Sequence, residues 1–117
     1  MGIDLNFWKY KESINLGNQE VYEKLSNGDY VEGIENLPIQ QILKDIQIVF
    51  KNWRKESGCD YQGALGSFHI FTTEQFVRFD CYGRHHSDLN KLIDTLLRYG
   101  CPLYDPQISE RFYRHIT

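Results

Sequence analysis

The sequence predicts an α+β fold of the ferredoxin-like kind: element order βαββαβ, with a four-stranded antiparallel sheet and two main helices on one face. Three observations carry this expectation. Apolar residues alternate along Met1–Tyr10 and on both sides of Thr72–Gln75. They recur at helical spacing over Leu37–Trp53 and again after Ser87. Gly66 to Asp105 then reads as strand, turn, strand, helix, strand in quick succession. In such a sandwich the first strand lies between the third and the fourth, and an extra short helix here follows strand one.

In the first strand Ile3, Leu5 and Phe7 alternate with Asp4, Asn6 and Trp8, giving one apolar and one mixed face. Lys11–Gly17 reads as a loop. Asn18 can cap a short helix over Gln19–Ser26, closed by Asn27-Gly28 as a left-handed terminator. Gly28–Asn36 is polar, acidic and irregular. Pro38 opens the main helix, where a missing N–H does no harm. Ile39, Ile42, Leu43, Ile46, Val49, Phe50 and Trp53 form its apolar stripe. Arg54–Gly58 ends that helix and Cys59–Leu65 is a loop of low apolar content.

The hairpin follows, with Phe68, Ile70 and Phe71 before the turn and Phe76, Val77, Phe79 and Cys81 after it. Ser87 or Asp88 caps a second helix carrying Leu89, Leu92, Ile93, Leu96 and Leu97, and Gly100 stops it. Cys101–Tyr104 is a last short strand, expected at an edge because Pro102 and Pro106 bracket it. Ile108–Thr117 is a terminal helix started by Ser109, or a tail. The expected inward set is Leu5, Phe7, Ile42, Ile46, Phe50, Val77, Phe79, Leu92, Ile93 and Leu96.

At 117 residues the chain reads as a single domain spanning 1–117, with room for one core. Aromatic residues make up 15%, a surplus usable in the core or at an interface. The net charge of −3 argues against general nucleic-acid binding. It is unevenly placed: Asn18–Asn36 holds five acids against Lys24, a net −4, so the remaining residues sum to +1. Cys59, Cys81 and Cys101 are an odd, widely spaced set that suits neither a disulfide framework nor zinc. With a strand pattern starting at Met1 and no apolar run of membrane-spanning length, the expectation is a reduced, cytoplasmic protein.

No nucleophile elbow, metalloprotease helix, phosphate loop or dinucleotide fingerprint is present, so no catalytic, cofactor-binding or metal-binding residue is assigned. His85-His86, with His69 or Cys81, is the one metal-like set, but adjacent side chains on extended backbone point opposite ways. Cys81 shares a strand face with Val77 and Phe79 and is expected to be buried and unreactive. Asp4, Asp80 and Asp105 fall on strands or strand ends and could form a carboxylate pair. Phe76-Val77-Arg78-Phe79 matches the closing half of the RNA-recognition-motif signature, while Thr72-Thr73-Glu74-Gln75 fails its opening half. An RNA-binding sheet face is therefore the alternative reading.

Met1-Gly2-Ile3-Asp4-Leu5-Asn6-Phe7-Trp8, Phe76-Val77-Arg78-Phe79-Asp80-Cys81-Tyr82-Gly83 and Gly100-Cys101-Pro102-Leu103-Tyr104-Asp105-Pro106-Gln107 together resemble the small immunity proteins of bacterial contact-dependent growth inhibition systems. The resemblance implies a cytoplasmic, non-enzymatic inhibitor that binds one cognate toxin domain, often a nuclease, in a one-to-one complex without a cofactor. It carries over no functional residue. The residues themselves point to the acidic segment as the partner surface: Glu20, Glu23, Asp29, Glu32 and Glu35 would complement a basic cleft, with Tyr22 and Tyr30 as aromatic anchors.

Overall fold

The computed structural model describes residues 2–14, 16–57, 59–83, 86–108 and 110–112. Among them the chain forms three helices and one seven-stranded antiparallel sheet. The strands are β1 (Gly2–Phe7), β2 (Arg54–Glu56), β3 (Asp60–Gln62), β4 (Ser67–Thr72), β5 (Val77–Tyr82), β6 (Leu103–Asp105) and β7 (Glu110–Phe112). The helices are α1 (Asn18–Ser26), α2 (Ile39–Val49) and α3 (His86–Leu97). Across the sheet the order is β2-β3-β4-β5-β1-β6-β7.

This overturns the four-stranded ferredoxin-like sheet with two main helices. The sheet is extended at both edges, and the helices occupy both faces. Helices α2 and α3 pack together over one face, where Leu5, Phe7, Phe68, Ile70, Val77 and Phe79 meet Ile42, Ile46, Leu92 and Leu96. Helix α1 covers part of the other face, where Val21 and Leu25 join Trp8, Phe76 and Tyr104 in a second core. The expected inward set is buried throughout, each member at 1% exposure or less. The mixed face of β1 is the surprise: Trp8 is fully buried and packs against Tyr104, with the rings tilted and their centroids 4.9 Å apart.

The edges have local causes. Helix α2 stops at Val49, short of the expected Trp53, because Phe50 leaves the helical region (φ −106°, ψ 31°). That turn brings the Trp53 ring against Phe50 at 4.9 Å and Phe68 at 5.5 Å. Burying a second aromatic ring there outweighs another helical turn. The chain then leaves Trp53 extended, so Arg54–Glu56 pairs with Asp60–Gln62, and Tyr61 lies opposite Phe68. These segments were expected to be helix end and loop. At the other edge Glu110–Phe112 is a strand on β6 rather than part of a terminal helix, and 113–117 lie outside the described residues. Strand β6 is accordingly interior: Pro102 and Pro106 flank it, so no ladder hydrogen bond is lost. Among the described residues no helix is long and apolar enough to cross a membrane.

Candidate functional site: a cleft beside the first helix

Beyond Phe7 the chain stays extended and pairs with the segment after α1. Tyr10 bridges Ile34, the Lys11 N–H donates to the Gly33 carbonyl at 2.8 Å, and the Glu35 N–H donates to the Lys9 carbonyl at 2.8 Å. Gly33 has φ +91°, and a Cβ there would approach Ile14 Cγ2 to 3.0 Å, so the crossing of these two loops needs glycine. Helix α1 ends in a Schellman motif: the Gly28 N–H donates to Leu25 and the Asp29 N–H to Lys24, both at 3.0 Å. Asn18 is not a cap; its side-chain oxygen accepts from the Tyr10 hydroxyl at 2.6 Å, tying the helix start to the β1 extension.

Gln75 holds the far side. It is buried, and its carboxamide closes on the loop after α1. Its Oε1 accepts from the Val31 N–H at 2.9 Å, while its Nε2 donates to the carbonyls of Val31 at 2.8 Å and Ile34 at 3.0 Å. A side-chain amide with both ends used on buried backbone fixes a loop more firmly than an apolar contact of the same size.

Between α1 and this loop lies a cleft of about 280 Å³, lined by Leu16, Glu20, Val21, Lys24, Tyr30 and Glu32 among others. Large apolar side chains are exposed here: Tyr30, 59% exposed, and Leu16, 39%, line the cleft, and Ile14, 40%, lies beside Leu16 over Gly33. Ile14 and Leu16 both rest on Gly33, so the three form one patch rather than scattered surface residues. On the rim Glu20 pairs with Lys24 at 3.3 Å.

The structure thus brings Glu20, Tyr30 and Glu32 of the expected partner surface together at one cleft. Glu23 and Asp29 are exposed on α1 and the turn after it, outside the cleft lining. Glu35 lies off the cleft and pairs with Lys9 at 3.4 Å. Tyr22 is turned inward, half-buried with its ring 5.5 Å from Tyr104, and so is engaged inside the protein. Ile14, Leu16 and Gln75 were not anticipated. The first two carry a weak signal, alternation inside the otherwise polar Lys11–Gly17; Gln75 in a hairpin turn carries none.

Helix α1 leaves the other end of this sheet face open. There Asp60, His69, Asp80 and Asp4 stand in direct register across β3, β4, β5 and β1. Of the three acids considered as a pair, Asp4 and Asp80 face one another, while Asp105 is away on β6. Partial burial against the sheet, a hydrogen bond with Asp80 and that group's charge push the Asp4 carboxyl above the ordinary carboxylate range, and Arg78 opposes the push. Arg78 donates to Asp80 at 2.9 Å and to the Ser26 hydroxyl at 2.8 Å, joining the row to the end of α1. Asp60 accepts from the Ser57 hydroxyl and lies against His69 Nδ1, both at 2.7 Å, which hold it below the usual range.

None of this assembles a nucleophile with its base. Ser57 donates to Asp60 and not to a histidine, and burial pushes the Cys81 and Cys101 thiols up to about 12. Among the described residues no group of three or more His, Cys, Asp or Glu side chains is placed to hold a metal ion. His85 lies outside the described residues. The chain matches no protein-family model and no curated protein sequence.

Proposed function

We propose that this chain is a non-enzymatic binding protein of the immunity type, which neutralises a basic toxin domain in the cytoplasm through the α1 surface. The observation that carries the reading is the apolar patch of Ile14, Leu16 and Tyr30 at a cleft rimmed by Glu20 and Glu32. An exposed aromatic anchor beside small apolar walls, ringed by acids, suits a protein interface: the patch supplies affinity and the charge speeds encounter with a basic surface. Glu23 and Asp29 extend the same acidic surface, each accepting from a neutral amide: Gln19 donates to Glu23 and Asn27 to Asp29, both at 3.4 Å.

The RNA-binding alternative is less favoured. Trp8, Phe76 and Tyr104 of the sheet face are fully buried under α1 and cannot stack on bases, which leaves Tyr82, 55% exposed, at the face's open end. The open end of that face presents Asp4, Asp60 and Asp80, which repel phosphates.

The test is inspection of the neighbouring genes and co-expression with any toxin-like domain encoded there; absence of such a reading frame would refute the reading. Rescue of growth and co-elution as a one-to-one complex are expected. Reversing Glu20, Glu23 and Glu32 to lysine should slow association while leaving the melting temperature nearly unchanged, because exposed charges contribute little to stability. A neighbouring toxin domain that neither binds nor is neutralised would refute the reading.

A further inference from the structure

We propose that the cleft beside α1 is the seat of a single arginine side chain of the basic partner, an assignment that rests on the reading above. Size narrows the occupant first. At about 280 Å³ and open to solvent the cleft lies just below the roughly 300–1,000 Å³ of small-molecule sites, and suits one inserted side chain.

Chemistry narrows it further. The walls are Leu16, Val21 and Val31, which would cover an aliphatic stem, and the rim carries the carboxylates of Glu20 and Glu32. Tyr30, 59% exposed, offers its ring at the mouth. An apolar stem ending in a planar cation that stacks on an aromatic ring and bridges carboxylates is the profile of arginine more than of lysine. Lys24, exposed and bound to Glu20 at 3.3 Å, is the cation the incoming guanidinium would displace. The cleft is held in shape before binding: Gln75 fixes Val31, and Tyr10 fixes the start of α1. Little ordering remains to be done on binding, which favours affinity from so small a contact.

The experiment is an NMR titration of the isotope-labelled full chain with Nα-acetylarginine N-methylamide, against the matching capped norleucine. Saturable amide shifts confined to Leu16, Glu20, Tyr30, Glu32 and their neighbours are expected with the arginine probe alone. Tyr30→Ala and Glu32→Gln, both at exposed positions, should each weaken binding by about fivefold. Absence of saturable shifts at the cleft, equal shifts with norleucine, or unchanged binding in both variants would overturn the assignment. The two proposals fail separately. If only the arginine seat is wrong, the toxin complex forms and is weakened by Tyr30→Ala, while the capped arginine gives no saturable shifts at the cleft. If only the toxin reading is wrong, no complex forms while the capped arginine still binds.

Discussion

Replacing Gln75 by alanine should unfasten one wall of the cleft. The side chain is 1% exposed and makes three hydrogen bonds to backbone groups of Val31 and Ile34, at 2.8, 2.9 and 3.0 Å. Truncation leaves the Val31 N–H and the Ile34 carbonyl short of a partner in a buried setting, while the Val31 carbonyl keeps the Ile34 N–H at 3.4 Å; each unsatisfied group costs about 1–3 kcal/mol. Water can reach the Val31 side of the loop more readily than Ile34, which is fully buried, so the lower end of that range applies. We expect a loss of about 2 kcal/mol, read as a fall in melting temperature of about 8 °C for a chain of this size. Urea denaturation should give the same loss with an unchanged slope. Hydrogen exchange locates it: the Val31 amide should lose protection, while amides in β1 and β5 keep theirs relative to the new global stability. Gln75→Glu should be no better, since it retains an acceptor for Val31 but places a carboxylate against two carbonyls. A Gln75→Ala loss below about 1 kcal/mol, or an unaltered Val31 amide, would refute the reasoning.

Three further outcomes are expected. Asp4→Asn should stabilise the protein by about 0.5 kcal/mol at neutral pH, because it removes a like charge directly opposite Asp80. The folded Asp4 pKa is raised, so its penalty is fully present above that pKa and fades as pH falls towards the unfolded value. Thermal melts from neutral to acid pH should therefore converge for the two proteins, and parallel curves would count against the pairing. Gly33→Ala should cost about 1–3 kcal/mol, from the positive φ and the 3.0 Å approach to Ile14, and should weaken the arginine probe along with stability. Under native conditions at pH 8 Cys59 should react with a thiol reagent, whereas Cys81 and Cys101 should react only after denaturation, given burial and thiols near 12. Rapid native labelling of all three would disprove the packing described for β5 and the start of β6.

What the sequence by itself determined is what local chemistry controls. Alternation placed β1 and β5, helical periodicity placed α2 and α3, and the residues on those stripes are buried or partly buried against the core, because turning the other way would expose several large side chains at once. Asn27-Gly28 ended α1 as read, since a left-handed residue after a helix is a local requirement. Only the tertiary structure decided the rest. Arg54-Lys55-Glu56 is exposed along its length and carries no period of its own; it becomes a strand because Trp53 turns inward and β3 offers a free edge. Nothing in the alternation of β1 said that Trp8, on the mixed face, would nucleate a second core and draw α1 to the side opposite α2 and α3. That choice broke the expected two-helix arrangement and gave the acidic segment a rigid base. The acids were legible as composition, but the cleft joins Leu16, Glu20 and Tyr30 from a loop, a helix and a second loop, held by Gln75, which lies 44 residues beyond the Val31 it binds. A contact across that separation is specified by packing as a whole and leaves no pattern along the chain.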